Sequence, residues 1–197
     1  MKIKMKLSFL KSLRFRVMVL LVIIGILPCI IAESVIVSSY ENRAVELKNI
    51  SVKNQCDILG KQLMKEEYLK YPQSEVINSE LAMFSSVFSG RILVINRDGR
   101  IVKDTYDIDE GKYVLSEAVI KCFEGENTGY YDKDNSYIVQ TVPLKNMINK
   151  QVEGVMLISI STSDIKDSIA ILRHRANLLL LIICVFVLIL GFVWSKT

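Results

Sequence analysis

Two long apolar runs bracket the chain, and between them the hydrophobic positions switch between helical and strand-like periods. Residues 176–194 carry no charge, and as a helix they would extend about 28 Å against a bilayer core of about 30 Å. The first run, VMVLLVIIGILPCIIA over 17–32, reaches about 24 Å, and Val35, Ile36 and Val37 continue it beyond Glu33. Both are expected to span a membrane, as 17–37 and 173–194. After the first run the sequence stays free of proline until Pro72 and is rich in helix formers, which predicts a long helix. Val45, Val52, Cys56, Leu59 and Leu63 follow one another at offsets of seven, four, three and four, so one helix face is apolar. That face is expected to pack on the protein's own sheet and, along the same helix, on the matching helix of a second subunit.

A second helix is predicted over 75–87, and the period then falls to two. RILVINRDGRIVKDT places two β-branched runs around Asp98-Gly99, a hairpin signal, with strands over 91–96 and 100–105. The first of these is apolar on both faces, as in a central strand covered on each side. A short helix over 114–123 and strands over 128–132, 136–144 and 152–161 complete the set. Residues 163–177 then run as a helix into the second apolar block, with Ser163 or Asp164 as its N-cap. The order predicts an α+β domain over 38–172, an antiparallel sheet of about five strands with a long N-terminal helix.

The first sixteen residues hold Lys2, Lys4, Lys6, Lys11, Arg14 and Arg16 and no acid. The positive-inside bias therefore keeps residues 1–16 and the stub 195–197 cytoplasmic and the central domain extracytoplasmic. A cleaved signal peptide fits less well, because bulky Ile30 precedes Ala32 at the small-x-small site. The net charge of +4 includes the six cations of that N-terminus. Residues 38–172 carry sixteen Lys and Arg against twenty Asp and Glu, a net of −4, which gives no support for nucleic-acid binding. Cys29 and Cys184 fall in the apolar runs. Cys56 and Cys122 lie between them, with burial as thiols favoured over a disulfide.

No nucleophile-base pair, phosphate loop or metal-ligand spacing is present, and no cofactor is called for. YDIDEG and YDKDNS lack the alternating acids, glycine and closing glutamate of an EF-hand. Asp107, Asp109 and Glu110 remain as an acidic patch that could meet divalent cations or cationic peptides.

RILVINRDGRIVKDT, GENTGYY, YIVQTVPL and VEGVMLISIS followed by a helix and span together resemble a known family. They are similar to the extracytoplasmic PAS-like sensor domains, of the single-Cache type, in bacterial membrane-bound sensor histidine kinases. The resemblance implies a homodimeric receptor whose outer domain shifts its two membrane helices, with a small molecule, cation or peptide as stimulus. It also implies a ligand pocket on the sheet, which here would be faced by Asp104, Tyr106, Tyr130, Asp132, Tyr137, Val139 and Thr141. Each of these residues serves equally well in an ordinary core. Val45, Val52 and Leu59 on the entry helix and Ile165, Ile169 and Leu172 on the exit helix are the expected transmission residues.

His174, between Arg173 and Arg175 on the outer side, lacks the surroundings of the family's phosphoacceptor and receives no catalytic role. Lys196 alone is little cytoplasmic material for a receptor, so further chain is expected after Thr197. That chain would be a kinase core with its response regulator, or a chemoreceptor or cyclic-nucleotide output. The other reading is a complete membrane-anchored interaction protein.

Overall fold

The computed structural model describes residues 13–196. The lysines of the N-terminus, Thr197 and the side chain of Trp194, expected at an inner interface, lie outside the described residues. Helix α1, Leu13–Lys65, is continuous through Pro28. It ends where Glu67 adopts a positive φ of 48° and the Tyr68 amide bonds back to the Leu63 carbonyl at 3.0 Å. That six-to-one bond is the Schellman closure, made here without glycine. The chain continues through α2 (Glu75–Val87), β1 (Gly90–Asn96), β2 (Ile101–Asp104), α3 (Glu117–Phe123), β3 (Gly129–Asp132), β4 (Tyr137–Lys145) and β5 (Val152–Ser161) to α4 (Ser163–Lys196).

The sheet runs β2-β1-β5-β4-β3, with every neighbouring pair antiparallel. Its β1–β2 hairpin is closed by Arg97, Asp98 and Gly99, and only Gly99 stands at positive φ (79°). The expected Asp-Gly turn is thus a three-residue loop with its glycine in the left-handed position. The Asn96 side chain fastens it by accepting from the Asp98 and Arg100 amides.

Alternation along the strands sends side chains to two cores. Ile92 and Val94 of β1, Val142 and Leu144 of β4, and Met156, Ile158 and Ile160 of β5 face Val52, Cys56, Leu59 and Leu63 of α1 and Ile77, Leu81 and Phe84 of α2. Ile95 and Val155 face the other way, with Ile101, against Val119 and Cys122 of α3. The apolar stripe on α1 is therefore core. Val52 is fully buried and Leu59 nearly so, which leaves Leu47, Ile50 and Ile58 as the exposed apolar side chains of that segment. Cys56 and Cys122 are free thiols on opposite faces of the sheet.

By contact density the chain forms two units. One, Ala44–Lys166, holds the sheet and both cores. The other comprises the residues up to Arg43 and from Asp167 on. In the latter, a Cβ added at Gly25 would lie 3.6 Å from Val187, so the two apolar helices touch. Ile24, Leu179 and Phe186 are each at least 60% exposed. The two helices of this unit are long and apolar enough to cross a membrane.

Candidate functional site

The sheet face opposite α1 carries a cleft of about 710 Å³ near the β3–β4 end. Its floor follows from strand register: Tyr130 on β3 stands beside Val139 on β4, Val139 beside Ser159 on β5, and Ser159 beside Arg91 on β1. One wall is α3, whose N-cap Ser116 accepts from the Val119 amide at 3.3 Å. Glu117 and Lys121 on that helix also line the cleft and pair with each other at 2.7 Å.

Tyr130 and Tyr137 supply the aromatic side, and the Tyr137 hydroxyl bonds to Asp132. That bond, aided by partial burial and by Tyr130, raises the Tyr137 pKa above the usual phenol value. Thr128, Val139, Leu157 and Ser159 complete a lining of hydroxyls, rings and aliphatic groups. Such a surface can orient a small molecule by hydroxyl contacts and cover it with apolar area.

Of the sheet residues expected at a pocket, Tyr130, Tyr137 and Val139 line this cleft. Thr141 does not line it. Its hydroxyl is fully buried, donates to the Thr128 carbonyl at 3.1 Å and accepts from the Thr128 amide at 3.0 Å, which pins the start of β3. Asp132 shapes the β3–β4 turn by accepting from the Asn135 amide at 2.9 Å.

Asp104 and Tyr106 belong to a separate cluster at the β2 edge. The buried Asp104 carboxylate takes two bonds from Arg91, at 2.9 and 2.5 Å, and three from the backbone amides of Tyr106, Ile108 and Asp109. Burial pushes its pKa up, but the guanidinium and the amides outweigh burial and hold it well below the usual carboxylate range. Arg91 also pairs with Asp109 at 2.6 Å and lies under the Tyr106 ring, 5.9 Å from its centre. Asp107 and Glu110 both pair with Lys103, and Asp109 also with Lys112. Each acid of the expected patch, Asp107, Asp109 and Glu110, is thus paired with one of these lysines or with Arg91. Among the described residues, no group of three His, Cys, Asp or Glu side chains is placed to hold a metal ion.

A third polar cluster joins α1 to the β5–α4 junction. Lys48, whose side chain is only 15% exposed, donates to the Ser161 carbonyl at 2.8 Å and to Asp164 at 2.7 Å. Beside this tie the buried Asn49 Oδ1 and Thr162 Oγ1 have no protein partner. Ile165, in the first turn of α4, is buried, and Val45 is half-buried on α1. Ile169 and Leu172 belong to the other unit, where both are half-buried.

Ser116, Glu117, Lys121, Leu157, Ser159, Arg91 and Lys48 were not apparent as site residues in the sequence. Ser116 had a visible signal, as a serine three residues before Val119 at a helix start. The cross-strand neighbours became identifiable only with the register.

No protein-family model matches the chain, and no curated protein matches it. Among solved structures it is similar to the sensor domain of E. coli DcuS, at 15% identity, covering 63% of this chain and 98% of that one with a TM-score of 0.48. It is also similar to the sensor domain of the V. cholerae histidine kinase DctB, at 12% identity and a TM-score of 0.45. That match covers 68% of this chain and 59% of the other. Both are likenesses of fold.

Proposed function

We propose that the chain is a sensing and transmembrane input module. The sheet domain takes a small molecule in the cleft beneath α3 and passes its state to two membrane helices. The observation that carries this reading is the sequence of elements at the domain's two ends. Helix α1 enters the sheet domain directly from an apolar run, and α4 leaves it directly into another. Exposed isoleucines, leucines and phenylalanine along both runs are costly in water and favourable in lipid. The domain is taken as 38–172, extracytoplasmic, with 17–37 and 173–194 in the membrane and both termini in the cytoplasm.

The motifs that resemble sensor histidine kinases favour such a kinase as the output, with the cytoplasmic response regulator as its partner. A chemoreceptor or cyclic-nucleotide output would use the same input. Binding acts by favouring one of two helix arrangements in a dimer, a coupling of typically about 1–3 kcal/mol.

The full chain in lipid nanodiscs, screened by thermal shift against amino acids, organic acids and neutral metabolites, gives the first test. A ligand at one hundred times its dissociation constant adds about 2.7 kcal/mol, and Tyr130→Ala or Tyr137→Ala should remove that gain. The chain is then joined to a histidine-kinase core, and autophosphorylation should change on adding the same ligand. A ligand that binds the cleft and leaves output unmoved would sink the proposal.

A further inference from the structure

Helix α1, β4 and the β4–β5 turn converge on a second cleft, of about 660 Å³, which shares no lining residue with the first. Its cause is a gap in the sheet. Strand β3 pairs with β4 only from Tyr137 to Gln140, with one further bond from the Thr141 amide to the Thr128 carbonyl. Beyond that bond Val142, Pro143, Leu144 and Lys145 have β5 on one side and no strand on the other.

We propose that this cleft binds a small multivalent anion of the phosphate type. Lys61 from α1, Lys145 from β4 and Lys150 from the turn line it, against a single acid, Asp57. Lys48, Lys103, Lys112 and Lys121 each sit on a carboxylate, whereas none of the three cleft lysines forms an ion pair with a described residue. The cleft is thus two charges positive in a domain with more acids than bases.

Its chemistry narrows the ligand. A peptide strand is disfavoured: the Thr141 amide points to the β3 side, so position 143 does also, and Pro143 has no N–H to continue the ladder. No aromatic ring lines the cleft for a flat apolar molecule. All its cations are lysines. Arginine's planar fork grips carboxylate and phosphate alike, whereas an ammonium group acts as a point charge and gains most from a compact anion whose charge sits on few atoms, as in phosphate.

The test is calorimetric titration of the full chain, in phosphatidylcholine nanodiscs at low salt, with inorganic pyrophosphate and separately with citrate. Pyrophosphate should bind at least tenfold more tightly than citrate. Lys61→Gln/Lys145→Gln should weaken it at least tenfold, and Lys53→Gln/Lys65→Gln, the same charge change elsewhere on α1, should weaken it less than twofold. No pyrophosphate binding, equal binding of citrate, or equal losses in the two variants would overturn the assignment. Repeating the titration in discs containing phosphatidylglycerol separates the sources: unchanged affinity supports a soluble anion, and competition by the lipid overturns that source. The Tyr130 and Tyr137 variants should leave this site unaltered, so its failure and that of the first cleft are separable.

Discussion

At the scale of single residues, Arg91 and Asp104 form the pair whose loss should be most visible. Asp104 is wholly buried, so Arg91→Gln leaves its carboxylate with only the three backbone amides and should cost about 3 kcal/mol in chemical unfolding at pH 7. The pH dependence has a definite sign. The folded-state pKa of Asp104 is depressed, so its contribution is complete above the unfolded value of about 3.9 and is lost as pH falls from there. The native chain should therefore lose stability more steeply than Arg91→Gln below about pH 4. Parallel acid curves would show that Arg91 does not hold the carboxylate.

Gly154 makes a second residue-scale case. A Cβ there would stand 2.6 Å from the Ile95 carbonyl oxygen, a backbone atom that cannot rotate away. Gly154→Ala should destabilise by about 1–3 kcal/mol, and an unchanged denaturation midpoint would refute the clash. Neither site was legible in the sequence: Arg91 and Gly154 entered only as members of the strands expected over 91–96 and 152–161. Their roles come from neighbours on β1 and β2, which no local pattern supplies.

Elements were far more legible than contacts, because period and turn chemistry are local. Helix Glu75–Val87 and strand Val152–Ser161 have the bounds the pattern predicted, and the other strands differ from theirs by one residue at one end or both. The short helix begins three residues later than expected, at Glu117, because Ser116 caps it and Val114 and Leu115 stay outside. The stripe on α1 was legible as a stripe, while its partner was not. It packs on the sheet, so Leu59→Asp should unfold the domain rather than uncouple it. The exposed face with Leu47, Ile50 and Ile58 is what a second subunit could meet. A better probe of coupling between the helices is Lys48, which ties α1 to β5 and α4. Lys48→Met leaves the Ser161 carbonyl without its donor and should cost about 1–3 kcal/mol in thermal unfolding. In the kinase fusion its ligand response should fall while cleft affinity is kept. An unaltered response would assign Lys48 to stability alone.

At the scale of the whole molecule, orientation decides whether the cleft can meet a stimulus from outside the cell. The β3–β4 turn is a suitable reporter, since Asp134 is exposed there, outside both strands. Asp134→Cys should react with a membrane-impermeant maleimide in intact cells. The native thiols give little background. Burial, with some help from Asp57, pushes the Cys56 pKa up to about 12, and burial raises that of Cys122. Both therefore hold little of the reactive thiolate near neutral pH. Cys29 and Cys184 stand in the apolar runs and should be shielded by lipid. Labelling of Asp134→Cys only after the cells are permeabilised would place the sheet domain in the cytoplasm. The clefts would then face cytoplasmic molecules, and the positive-inside reading of the N-terminus would be wrong. Labelling in intact cells that free ligand slows at Asp134→Cys, and that Tyr137→Ala restores, would tie the outward face and the cleft together in one measurement.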